Sequence, residues 1–164
     1  MVIRIALLFA ALLLSSCGYH LRGAYALPSD LKKVYVTGGT PQLHEQFKQI
    51  MKASSGQLLT SPEGASIVVK ITNEDFRRRA LSLSSRGKSN EFELLYHLEY
   101  ELTNSKNTAL TELLPLEIKR EYFNDQQDIM AKDNEEAVIR KEMYEQAVRS
   151  IVNRARVVLE AKAK

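Results

Sequence analysis

Between Glu91 and Leu102 the chain alternates with a period of two. Phe92, Leu94, Tyr96, Leu98, Tyr100 and Leu102 share one parity, while Glu91, Glu93, His97, Glu99 and Glu101 share the other, with Leu95 the one exception. Successive side chains of a strand point to opposite faces. This run therefore demands a sheet with one face on a core and the other against water or a polar partner. Whatever folds around it must supply a layer to cover the apolar face.

Two helical stripes can supply that layer. Thr40 is an N-cap residue, Pro41 suits a first helical position, and Leu43, Phe47, Ile50 and Met51 follow at helical spacing. Ser54-Ser55-Gly56 should end this helix, with Gly as the stop. The second helix is predicted to start at Asp133-Asn134-Glu135-Glu136, an Asx three residues before a Glu. Its stripe is Ala137, Tyr144, Val148, Ile151, Ala155 and Val158, and it should reach about Ala161, roughly 40 Å on at 1.5 Å per residue. Three further strands are predicted. One contains Val34-Tyr35-Val36; one starts at Ile67–Ile71 and continues to Leu83 with an interruption near Asn73–Asp75; one spans Leu114–Phe123. Pro62–Gly64 reads as a turn, and Ser84–Asn90 as a hairpin turn. The order β-α-β-β-β-α implies a right-handed parallel crossover followed by an antiparallel meander. The fold class expected is α+β: a two-layer sandwich with two helices on one face of a four-stranded mixed sheet.

Residues 1–16 do not belong to that domain. Arg4 is a short positive start, Ile5–Leu14 is an unbroken apolar run of ten, and Ser15-Ser16 precede Cys17, the only cysteine. A bilayer-spanning helix needs about 20 apolar residues, so the run reads as an export signal. Leu14-Ser15-Ser16-Cys17 resembles the bacterial lipobox, in which the leader is cut before the Cys and that residue is acylated. The resemblance implies lipidation at Cys17 (an N-acyl diacylglyceryl anchor), and Gly18 at the next position points to the outer membrane. Two or more acyl chains give a stable anchor where one does not. The mature chain, 17–164, is then 164 − 16 = 148 residues, one domain with no free thiol.

No catalytic constellation stands out. His20, His44 and His97 form no metal-ligand spacing, and His97 falls on the polar parity of a strand, where it reads as a solvated residue. Thr37-Gly38-Gly39-Thr40 reads as a tight turn plus N-cap; as a phosphate cradle it lacks the Lys-Ser/Thr of a P-loop. The glutamates of the alternating strand single out no acid–base pair. No cofactor or metal is expected. The chain carries 26% charged residues with a net charge of +3, a balance that does not indicate nucleic acid as a partner. Any anion preference must come from clustering. Arg77-Arg78-Arg79 on one strand and Arg86 and Lys88 in the following turn make such a cluster. Consecutive arginines on a strand point to alternate faces, so at least one meets the core side. The cluster can bind phosphates through charge-assisted hydrogen bonds, or serve only as a charged edge that blocks aggregation.

Three stretches resemble one family, the lipopolysaccharide-assembly lipoproteins LptE. They are Cys17-Gly18-Tyr19-His20-Leu21-Arg22, the basic hairpin from Arg77 to Leu94, and Ala131-Lys132-Asp133-Asn134-Glu135-Glu136 with Arg140-Lys141-Glu142-Met143-Tyr144. The resemblance implies a non-enzymatic lipoprotein on the periplasmic side of the outer membrane. It would plug the LptD β-barrel, assist its assembly and bind lipopolysaccharide. It further implies Arg86, its neighbour Lys88, and Lys132 as lipopolysaccharide-binding residues; Arg77, Arg78 and Arg79, read from the charge cluster itself, are candidates for further basic contacts. Two alternatives stay open on the residues alone: an accessory lipoprotein of another envelope complex, and an envelope hydrolase with two converging carboxylates.

Overall fold

The computed structural model describes residues 31–83, 89–123 and 129–162, with backbone alone for 83, 89–90 and 129–134. The element order is β1 (Lys33–Thr37), α1 (Pro41–Ala53), β2 (Gln57–Leu59), β3 (Ile67–Leu83), β4 (Ser89–Thr103), β5 (Leu114–Phe123) and α2 (Ile129–Lys162). The strands form one open sheet in the order β2-β1-β3-β4-β5. β1 lies parallel to β2 and β3, while β3, β4 and β5 form an antiparallel meander.

The α+β class with two helices is as expected, but the sheet has five strands, not four. The missed strand, β2, is a three-residue edge parallel to β1. A segment that short carries no readable period. It is fixed from outside itself: Gln57 N–H donates to Lys32 C=O at 2.7 Å. The leader 1–16, Cys17 and the lead-in to Asp30 lie outside the described residues, as do Ser84–Lys88, the centre of the expected hairpin turn; β4 has already begun by Ser89.

β3 is continuous where an interruption was expected. The irregularity is a bulge at Thr72: Ile71 pairs with Tyr100 and Asn73 with Glu99. The Thr72 hydroxyl donates to Glu99 C=O at 3.1 Å. One extra residue reverses the parity of the strand from Asn73 to Ala80, where the register shifts again. Ile67, Val69 and Ile71 face the core before the bulge. Beyond it, Glu74, Phe76, Arg78 and Ala80 pair with Leu98, Tyr96, Leu94 and Phe92 and so share the core face. Without the bulge, that face would carry Asn73, Asp75, Arg77 and Arg79 instead.

α1 follows its sequence signals closely. Thr40 is the N-cap, its hydroxyl accepting from Leu43 N–H at 3.4 Å, Pro41 opens the helix, and Leu43, Phe47, Ile50 and Met51 are buried. Its end differs in one respect. Ser55, with φ 57°, holds the left-handed position, and Gly56 follows, donating its N–H to Met51 C=O at 2.8 Å. The pattern is a Schellman motif with serine where glycine was predicted.

α2 has 34 residues, about 51 Å at 1.5 Å per residue, and begins at Ile129 rather than Asp133. The expected capping residues are therefore inside the helix. Its buried positions are Met143, Ala147, Val148, Ile151 and Ala155, whereas Ala137, placed on the stripe by spacing, is exposed. Residues of both helices join Val34, Val36, Leu94, Tyr96, Leu98 and Leu102 in one continuous core on one side of the sheet. Each large side chain buried there stabilises the fold by about 1.5–3 kcal/mol relative to leaving it in water.

Candidate functional site

The site is built where β3 ends and β4 and β5 meet α2. Leu83 pairs with Ser89 and Glu91 with Phe123, so three strand ends coincide, and α2 opens six residues after Phe123. Lys132 lies in the first turn of α2. The strand ends at Leu83 and Ser89 bracket the segment that carries Arg86 and Lys88, both outside the described residues.

The bulge explains what becomes of the three arginines. Arg77 and Arg79 share the outer face with Leu95 and Glu93, and Arg78 shares the helix face with Leu94. Arg77 makes an ion pair with Asp75. The Arg79 Nε lies 2.6 Å from Glu93 Oε1, a charge contact outside hydrogen-bond geometry that neutralises a carboxylate only 5% exposed. Arg78 is the arginine that meets the core side. Its guanidinium sits 3.8 Å over the Phe92 ring and 3.5 Å from Glu136 of α2.

Glu136 is the centre of the arrangement. The Tyr122 hydroxyl donates to its Oε2 at 2.6 Å, and Arg140 donates Nε to its Oε1 at 2.8 Å with a second nitrogen also at 2.8 Å. Arg140 rests 4.0 Å over the Phe76 ring, and Phe92 and Tyr122 stack at 5.7 Å between centroids. Burial raises the Glu136 pKa, but the Tyr122 and Arg140 hydrogen bonds and the charges of Arg140 and Arg78 outweigh it, leaving the carboxyl below its ordinary value. The Tyr122 phenol is pushed up to about 12 by burial, by its bond to Glu136 and by the carboxylate charge, so it remains a donor through the neutral range. Sequence reasoning found Arg78 but missed Glu136, Arg140 and Tyr122. The available signal was the i, i+4 spacing of Glu136 and Arg140 on a helix.

A second carboxylate faces the core side in the middle of β3, just past the bulge. Glu74 Oε2 accepts from Thr40 N–H at 2.6 Å, and Oε1 accepts from the Thr40 and Tyr96 hydroxyls, both at 2.9 Å. The Thr40 amide that a phosphate would need is taken by Glu74, so the Thr37–Thr40 segment acts as a turn and cap. Gly38, at φ +75°, is required there: a Cβ would lie 2.2 Å from Ile71 C=O.

The outer sheet face is an array of charges. His97 is half-buried rather than fully solvated, 3.6 Å from Glu99 and register-matched with Asp75 and Glu117. Among the described residues no group of three or more His, Cys, Asp or Glu could hold a metal ion, and no helix is long and apolar enough to cross a membrane. A shallow groove of about 380 Å³ runs along the seam of β5 and α2, lined by Arg120, Glu142, Gln146 and Arg149. Arg120 is hydrogen-bonded to Gln146 across it. Its mixed charges and open mouth make it a solvated seam, unlike the apolar concavities that hold small ligands.

Comparison with known proteins places this geometry. Residues 31–155 match the family model described as LptE, lipopolysaccharide-assembly. The chain is similar to the LPS-assembly lipoprotein LptE of Photorhabdus laumondii, 26% identical over 153 residues, 92% of this chain and 83% of that protein. It is similar to the protein of the same name from Yersinia enterocolitica, 23% identical over 168 residues, 99% of this chain and 79% of that one. Among solved structures, an uncharacterized lipoprotein B from Nitrosomonas europaea superposes with a TM-score of 0.70 at 26% identity, covering 88% of this chain and 94% of that one. The rare lipoprotein B of Shewanella oneidensis shares the fold, with a TM-score of 0.62 at 20% identity over 80% of this chain and 98% of that one.

Proposed function

Since the chain belongs to the LptE lipopolysaccharide-assembly family, we propose that it works as a lipid-anchored, non-catalytic component of lipopolysaccharide delivery to the outer membrane. Acylated Cys17 holds it on the periplasmic side. The folded domain seats inside the LptD barrel and assists its assembly, and the hairpin end binds lipopolysaccharide. Nucleic acid has no part in this reading.

The observation that carries it is the family match over residues 31–155, together with the cationic residues gathered where α2 meets β3 and β5. Lys132 lies in the first turn of α2, and Arg78 and Arg140 meet at Glu136, one helical turn further on. Arg86 and Lys88 belong to the segment between the strand ends at Leu83 and Ser89. Lipid A carries phosphates, and Arg and Lys bind them through charge-assisted hydrogen bonds. A barrel lumen is polar, so a plug needs a charged exterior, and the open sheet face supplies one with Asp75, Glu99, Glu117 and Lys119. The anchor raises the effective concentration of the domain at its partner without adding a contact.

Extraction of the outer membrane with mild detergent and purification through a tag on this chain should recover a large β-barrel in stoichiometric amount. A chain that elutes alone, with the barrel present elsewhere in the extract, refutes the plug assignment.

A further inference from the structure

We propose that Arg78, Arg140 and Tyr122 form an oxyanion site that Glu136 fills in the free protein and that a phosphoryl group takes over by displacing the Glu136 carboxylate. The identity of the phosphate's carrier as a lipid headgroup rests on the proposed function; the site itself does not.

The geometry supports exchange on four counts. Groups from three elements converge on one carboxylate: Arg78 from β3 as an ion pair at 3.5 Å, and Tyr122 from β5 and Arg140 from α2 as hydrogen-bond donors at 2.6 Å and 2.8 Å. Each guanidinium is also held independently of Glu136, over Phe92 at 3.8 Å and over Phe76 at 4.0 Å. When the carboxylate leaves, both cations keep their places, so an incoming anion meets a preorganised site. The cluster is open to solvent: the side chains of Arg78 and Arg140 are 44% and 37% exposed, against 19% for Glu136. Finally, the charge balance favours the newcomer. Two arginines and one glutamate leave a net +1, whereas a phosphate monoester carries about −1.5 to −2 and three acceptor oxygens. It neutralises both cations and leaves Tyr122 an acceptor. Glu136 is one side chain on a helix surface and returns to water by rotation about its own bonds.

Glu74 shows why this is a property of one carboxylate and not of both. Its donors are an amide and two hydroxyls. They offer no positive charge to reward a dianion, and the carboxylate holds Thr40, the N-cap of α1.

The test uses the full lipidated chain in neutral detergent micelles, with the arginine Nε–H resonances followed by NMR. The probes are inorganic phosphate, phosphorylated lipid A and dephosphorylated lipid A. Glu136→Gln keeps a neutral acceptor for Tyr122, so the fold persists, as circular dichroism would check. It should raise affinity for the phosphorylated probes about fivefold, the scale of one partly exposed ion pair. Arg78→Gln with Arg140→Gln should abolish that gain. Dephosphorylated lipid A should leave both arginine signals in place. If Glu136→Gln binds phosphorylated probes no better than the parent chain, the exchange site is overturned, even where lipid A binding itself is intact. If inorganic phosphate responds to the substitution and lipid A does not bind at all, the site stands and the lipid reading fails.

Discussion

The molecule satisfies two core-facing carboxylates in opposite ways. At the β1–α1 end, Glu74 is held by neutral donors from Thr40 and Tyr96, next to a glycine turn that tolerates no side chain. At the hairpin end, Glu136 is held by two arginines and a phenol, each reachable from water. Neutral donors lock a carboxylate into the architecture, because the donors lose their partner if it leaves. Cationic donors keep an affinity for any anion. The first arrangement makes a scaffold and the second makes a recognition surface. The bulge at Thr72 creates both, by turning Glu74 and Arg78 to the same face.

Substitution should expose this asymmetry in stability. Glu74→Ala strands one amide and two hydroxyls without an acceptor and should cost about 3 kcal/mol. Glu136→Ala breaks contacts to arginines that are 44% and 37% exposed, and after solvent screening should cost about 1 kcal/mol. Urea denaturation of the two variants decides it; equal losses would break the contrast. Gly38→Ala sharpens the scaffold side. A left-handed alanine with its Cβ against Ile71 C=O should cost about 2 kcal/mol in the same assay.

Acid should act on the hairpin end. The Glu136 carboxyl lies below its ordinary value: burial would raise it, and the bonds to Tyr122 and Arg140 and the charges of Arg140 and Arg78 prevail. A depressed folded pKa contributes stability that is complete above the unfolded value and lost as pH falls through the folded one. Urea midpoints of the parent chain should therefore fall as pH drops from about 6 to about 3, and those of Glu136→Gln should fall less steeply. A parallel decline would remove Glu136 as an acid-sensitive element. The smallest effect belongs to Ser55→Gly, which relieves a left-handed serine at the close of α1 and should stabilise by about 0.5 kcal/mol. A loss on this change would contradict the Schellman reading of that end.

What the sequence made legible was most of what has a period. The alternation through β4, the stripe of α1 and the order of the long elements need only local rules. What it hid were features set by partners distant in sequence. β2 has three residues and owes its conformation to Lys32 and β1. The bulge at Thr72 leaves only a lapse in alternation, which reads equally as a break in the strand. The start of α2 is hidden because Asp133 and Asn134 mimic a cap from inside a helix. For the site, the three arginines were visible as a cluster, but their division between faces was not, since it turns on one inserted residue. Glu136, Arg140 and Tyr122 come together only through the packing of α2 on β5. Family resemblance, not periodicity, pointed to Lys132.

The hairpin end is the part proposed to meet lipopolysaccharide. Replacing Arg86, Lys88 and Lys132 together by Glu, and titrating the purified lipidated chain with lipopolysaccharide, is the direct test. Affinity should fall by about tenfold or more, the sum of several charge contacts, with an unchanged circular dichroism spectrum and thermal midpoint. Full affinity in that variant, with the fold intact, would contradict the assignment.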